Sequence, residues 1–145
     1  DKKKTEASYR EGFFTVGDAG YLDEEGYLYL CDRKSDMIIS GGVNIYPAEI
    51  EAALGSHPKV GDVAVFGIPD DDWGELVMAV VEPAEGVVSG SELAEELLAF
   101  GLERLAKFKC PRRIEFTAAL PRDPNGKLYK RTLRDPYWAS RDRAI

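Results

Sequence analysis

Residues 31–51, CDRKSDMIISGGVNIYPAEIE, decide how this chain is read. A charged turn, Asp32-Arg33-Lys34-Ser35-Asp36, leads into the apolar run Met37-Ile38-Ile39. Gly41-Gly42 breaks that run, and Pro47 then opens PAEIEAAL. Pro suits the first helical position, Glu49 falls in the first turn, and Ile50, Ala53 and Leu54 recur at helical spacing. The order predicts a short strand over 37–40, a glycine break, and a helix over 47–54 ended by Gly55. A Gly-Gly pair serves as an ordinary turn because glycine tolerates positive φ, and it also lets backbone pass close to a ligand.

Working upstream, FFTVGDAGYLDEEGYLYLCDR alternates aromatic and aliphatic residues with small and polar ones. The acidic turn Asp23-Glu24-Glu25-Gly26 separates two such runs, so residues 13–32 read as small antiparallel strands. Residues 1–11 read as a helix end or a frayed lead-in. Downstream, VGDVAVFGI over 60–68 predicts a strand stopped by Pro69, and the apolar run 76–81 predicts a buried strand. Leu93, Leu97, Leu98, Gly101, Leu102 and Leu105 share one face of a helix expected over 91–107, with Ser89 and Glu92 as a capping box. A short strand over 113–116, a Pro/Gly turn PRDPNGK, a final basic helical turn over 129–134 and a frayed tail complete the chain. This is an α+β pattern. It predicts a small two-layer sandwich, a short sheet with helices on one face, preceded by a β-hairpin that forms a separate unit.

The chain has 145 residues, 44% of them apolar, which suits one domain or one domain plus a piece of another. No apolar run approaches the roughly 20 residues of a membrane span, and DKKKTEASYR has no signal-peptide core. The absence of an initial Met suggests a piece of a longer protein. Cys31 and Cys110 match no metal spacing and read as free thiols of a cytoplasmic protein. His57 is the only histidine, which argues against a histidine-based triad or metal site. The net charge of −7 is uneven: residues 1–102 hold 7 basic and 21 acidic residues, and residues 103–134 hold 10 and 3. Such a chain is a poor general nucleic-acid binder, while its basic segment suits a small polyanion such as a nucleotide or coenzyme.

Several residues could carry chemistry. Lys127 lies at the tip of the Pro/Gly turn, where a mobile cation can stabilise a transferring phosphoryl or acyl group, although most loop lysines are simply solvated. Asp18 follows Gly17, and a carboxylate there can accept sugar hydroxyls or merely cap a turn. Arg33 stands between Asp32 and Asp36, where an ion pair is the plainer reading. Phe108-Lys109-Cys110-Pro111-Arg112 can stack a base and contact phosphates, or simply end a helix.

In order, Gly17-Asp18, DEEGYLYLCDRKSD, IISGGVNIYPAEIE, HPKVGDVAVFGIPDDDWGE, FKCPRRIEF and LPRDPNGKLYKRTLR resemble the C-terminal part of the adenylate-forming synthetases. That family includes acyl-CoA synthetases, peptide-synthetase adenylation domains and luciferases. The resemblance covers about residues 12–134 and is nearest to fatty-acyl- or aryl-CoA ligases. It implies joining of a carboxylic acid, here a fatty acid, to ATP as acyl-adenylate, then transfer to coenzyme A. A small C-terminal domain rotates between the two steps. The resemblance assigns Lys127 to adenylation, Asp18 and Arg33 to the ribose, and Ser35 to the hinge. It assigns Gly41 and Gly42 to the pantetheine tunnel, with Phe108 and Lys109 approaching the coenzyme A nucleotide. Val16 replaces the threonine usual before Gly-Asp, and Ser35 replaces the usual aspartate or lysine.

The resemblance further implies that residues 1–33 end a large N-terminal domain, that 34–36 are the hinge, and that 37–145 form the mobile domain. The large domain would be the chief partner. It would carry the phosphate-binding loop and the Mg2+ site, leaving this chain inactive alone and holding no metal. Two alternatives stay open: the same domain from an enzyme that loads a carrier protein, and a non-catalytic interaction module.

Overall fold

The structure is a computed structural model that describes residues 2–141, for Lys4 the backbone alone. Residues 60–83 organise it. Strands β7 (Val60–Asp70) and β8 (Gly74–Pro83) pair antiparallel along their whole length around the turn at Asp71–Trp73. β5 (Ile38–Ser40) joins the start of β8 through Ser40 opposite Gly74, and β6 (Val43–Ile45) folds back on β5. β9 (Arg113–Phe116) runs parallel to β8 beside residues 78–81. Gly41-Gly42 is therefore the tip of a hairpin, and both residues have positive φ. Pairing with β5 makes a strand of residues 43–45, where the sequence suggested only a break before the helix.

β7 continues through Pro69 to Asp70 rather than stopping. It pairs only with β8 and is an edge strand, so the N–H missing from proline deprives no neighbour. Alternate residues of β7 and β8 feed two cores. Val63, Val65, Val77, Ala79 and Val81 pack with Ile50 and Leu54 of α2 (Pro47–Gly55) and Leu93 and Leu97 of α3 (Ser91–Arg104). Ala64, Phe66, Ile68, Met78 and Val80 pack with Leu120, Leu128, Leu133 and Tyr137. Burying one such side chain stabilises the fold by about 1.5–3 kcal/mol, so both faces favour closure.

The α+β architecture with helices on the sheet is as expected. The face expected to lie open carries α4 (Lys130–Trp138), adding a partial third layer. This helix is longer than the basic turn expected at 129–134. It passes through Pro136, and Trp138 Nε1 donates to Gly67 O at 2.9 Å. The expected frayed tail is thus helical to Trp138, and residues 142–145 lie outside the described residues. α3 ends at Arg104 instead of 107, because Leu105 turns extended and buries its side chain. Its N-cap is Gly90 without a side-chain cap bond, so the Ser89/Glu92 capping box does not form.

Residues 2–33 stand largely outside both cores. α1 (Lys2–Ala7) precedes the short pair β1 (Tyr9–Arg10) and β2 (Phe13–Phe14). β3 (Asp18–Leu22) and β4 (Leu28–Arg33) form the expected hairpin. Asp23 closes its turn by accepting the N–H groups of Glu25 and Tyr27, which holds its carboxyl below the usual range. Phe13, Leu22, Leu28 and Leu30 are each more than 60% exposed. A small fold that leaves this much apolar surface uncovered offers it to another surface.

Candidate functional site

The expected site residues fall into three places. Asp18 and Arg33 are direct cross-strand partners at one end of the β3–β4 hairpin, with Arg33 Nε 3.9 Å from Asp18 Oδ1. The pair is loose and Arg33 is well exposed, so both charges remain able to meet polar ligand groups. Ser35 follows in the turn between β4 and β5, where its carbonyl accepts Arg134 Nη1 at 3.5 Å. Asp32, just before that turn, accepts the Ala48 N–H at 3.0 Å and so caps α2 from across it.

The second place is the glycine hairpin. Gly41 N–H donates to Trp73 O at 2.8 Å, and the indole lies against Gly41. A groove of about 100 Å³ runs between Gly41, Trp73, Phe108 and Arg112. Glu75, two residues after Trp73 and only 4% exposed, accepts Ile39 N–H at 3.4 Å, and Gly67 leaves room for its carboxylate. Gly41 and Phe108 therefore line one groove. Gly42 lies outside the groove lining with open space around it, and Lys109 turns away. Lys109 Nζ donates to both Glu49 oxygens at 2.7 Å, which leaves that charge answered within the fold. Arg112 has no charged partner among the described residues and lines the groove instead. Arg112 belongs to the basic segment that the sequence offers for phosphates, whereas nothing in the sequence singles out Trp73, whose place beside Gly41 arises only from the pairing of β5 with β8.

The third place is the loop bearing Lys127. Arg122 and Leu128 form a β-bridge, and Asp123 N–H donates to Lys127 O at 2.9 Å. Asp123 Oδ1 accepts the N–H groups of Asn125 and Lys127, and Gly126 takes φ +84° to close the turn. The loop is thus the folded turn that the sequence predicts. Lys127 is exposed at its tip, and no described acidic side chain pairs with its ammonium. No residue of this loop lines the groove.

The β7–β8 hairpin sets the spacing. Trp73 and Gly41 stand at its turn end, while Asp62 and Glu82 contact the Lys127 loop at its open end. Eight strand residues, roughly 25 Å, separate the two. Among the described residues no group of three or more histidine, cysteine, aspartate or glutamate side chains is arranged to hold a metal ion, and no helix is long and apolar enough to cross a membrane.

The fold has known counterparts. Residues 49–127 match the AMP-binding enzyme C-terminal domain, and this chain belongs to that family. It is 45% identical over 136 residues to the long-chain-fatty-acid–CoA ligase FadD13 of Mycobacterium tuberculosis, covering 94% of this chain and 26% of the relative. It is 49% identical over 130 residues to a 2-succinylbenzoate–CoA ligase of Bacillus cereus, covering 90% and 26%. Among solved structures, o-succinylbenzoate CoA synthetase of Bacillus subtilis in complex with its acyl-adenylate intermediate superposes with a TM-score of 0.79 at 45% identity, covering 90% and 26%. The chain thus spans about a quarter of the length of the curated relatives it matches.

Proposed function

We propose that this chain is the mobile C-terminal part of an AMP-forming acid–thiol ligase acting on a fatty acid, with ATP and coenzyme A as co-substrates. A carboxylate oxygen attacks the α-phosphorus of ATP, the α–β phosphoanhydride breaks, and pyrophosphate leaves. The thiol of coenzyme A, losing its proton, then attacks the acyl carbon, and AMP leaves. The observation that carries this reading is the placement of Lys127 and the Gly41 groove at opposite ends of the β7–β8 hairpin. Two ends suit two half-reactions served in turn by one rotating domain.

In this reading Lys127 stabilises charge developing between carboxylate and α-phosphate. Asp18 accepts the ribose hydroxyls with Arg33 beside it, and Ser35 takes the dihedral change of the hinge. Gly41 and Gly42 border the pantetheine arm. Phe108 stacks on the coenzyme nucleotide, and Arg112 meets its phosphates in place of the paired Lys109. Residues 1–33 end a large N-terminal domain that covers their exposed apolar side chains and holds the Mg2+ expected with ATP. The enzyme works in the cytoplasm, and this chain alone is inactive.

The test uses the full-length ligase. Lys127→Ala should abolish ATP–pyrophosphate exchange yet spare thioester formation from supplied acyl-adenylate. Equal loss of both steps would sink the two-ended reading. Comparing dodecanoate with 2-succinylbenzoate as the acid tests the substrate class, and preference for the aromatic acid would overturn the fatty-acid assignment.

A further inference from the structure

Asp62 and Glu82 face each other across the β7–β8 hairpin, beside the register shift between Val60 and Asp62. Like charges directly opposite weaken an antiparallel pair. Such a breach of local preference is expected where a site needs it. Both carboxylates reach the same segment. Glu82 Oε2 accepts Leu120 N–H at 2.8 Å, and Asp62 pairs with the guanidinium of Arg122. Asp62 Oδ1 also accepts Val63 N–H at 2.8 Å, which fixes the carboxylate. The other arm of Arg122 donates from Nη1 to Gly126 O at 2.6 Å, the carbonyl just before Lys127.

The Asp123 contacts shape the turn but tie it only to itself. Leu120 and Leu128 seat its base on the apolar core. Among the described contacts, Arg122 alone links the tip of the turn to the rigid sheet by a side chain. We propose that Arg122, held by Asp62, is a positioning residue that aims Lys127. This rests on the reading of Lys127 as the adenylation lysine. An ammonium acting on a transferring centre must be placed to within about 1 Å, and a misplacement of that size can cost on the order of a hundredfold in rate. An exposed ion pair adds little to stability, so its loss should move the turn without unfolding the domain.

The experiment compares the two half-reactions in the full-length ligase. The acid is dodecanoate or 2-succinylbenzoate, whichever the wild type adenylates. Arg122→Gln and Asp62→Asn should each lower kcat for ATP–pyrophosphate exchange roughly ten- to a hundredfold. KM for ATP should stay within about twofold. Thioester formation from supplied acyl-adenylate and the melting temperature should not change. The double variant should be no worse than either single one, because the two residues act as one unit. Arg122→Lys should recover part of the rate, since an ammonium reaches Asp62 but lacks the planar fork that also holds Gly126 O. Equal loss in both half-reactions, or normal exchange in the variants while Lys127→Ala abolishes it, would overturn the proposal. Normal exchange in Lys127→Ala would bring down the reading of Lys127, and the proposal with it.

Discussion

Trp73 closes over Gly41: a Cβ built on that glycine would sit 2.7 Å from Cε3 and 2.9 Å from Cζ3 of the indole. Gly41 also has φ +57°, so both backbone and neighbour require glycine there. Gly42 has φ +79° but meets nothing within 4 Å. The two glycines of one turn are therefore constrained differently.

Gly42→Ala should carry the left-handed backbone cost alone, about 1–2 kcal/mol. Gly41→Ala should be worse, because it also displaces the indole from the groove. Denaturant unfolding of both variants measures the stability difference. In the full-length ligase, Gly41→Ala should raise KM for coenzyme A more than Gly42→Ala does. Equal KM values would mean that the groove is not where the coenzyme passes.

Arg112 and Lys109 should also separate. Arg112→Gln removes a cation that has no charged partner among the described residues and should raise KM for coenzyme A about tenfold, the scale of one lost charge-assisted hydrogen bond. Lys109→Gln breaks the contact with Glu49 and should cost stability with little change in that KM. The opposite order of the two KM effects would reverse the assignment.

Asp32 supplies a helix cap from outside its helix. Asp32→Ala should destabilise the chain by about 1 kcal/mol, and Asp32→Asn should recover much of it, since asparagine caps equally well. The midpoint of urea unfolding reads this. No change in Asp32→Ala would show that the contact with Ala48 adds nothing in solution.

The Tyr137 hydroxyl donates to Glu115 Oε2 at 3.0 Å and ties α4 to β9. Burial, and then the Glu115 carboxylate, push its pKa above the ordinary value of 10.0. A raised pKa stabilises the fold below about pH 10, and the contribution disappears as pH rises through the folded value. Tyr137→Phe should therefore be less stable than wild type at pH 8, by about 1 kcal/mol for the lost hydrogen bond. The gap should close above pH 10. Thermal melts from pH 8 to 11 follow it, and a constant gap would remove the ionisation from the account.

The isolated chain should bind ATP no tighter than about 1 mM, because Asp18, Arg33 and Lys127 are too few contacts for more. Calorimetric titration would show micromolar binding if the nucleotide site lay wholly within these residues.

Much of this protein is legible along its chain. The alternating run at 60–68, the continuous apolar run at 76–81, the proline-started helix at 47 and the apolar stripe of 91–105 are local patterns that depend on neighbours in sequence. The ordered blocks around Gly17-Asp18, Gly41-Gly42 and Gly126-Lys127 are linear motifs, so they revealed the family and the candidate residues. Pro69 misled because a strand tolerates proline only at an edge, and edge position belongs to the sheet. The end of the basic helix was missed because α4 is held by a core contact of Tyr137 and the bond from Trp138 to Gly67, far away in sequence.

The sequence by itself determined most element types and the family, and it singled out Lys127 as a candidate, because those rest on local spacing and order. Only the tertiary structure decided which cation meets a carboxylate among the described residues. Lys109 and Arg112 are equal in charge and three residues apart, yet one meets Glu49 from α2 while the other is left in the groove beside Trp73. Electrostatic pairing acts across space at a few ångströms, and that partner stands 60 residues away along the chain.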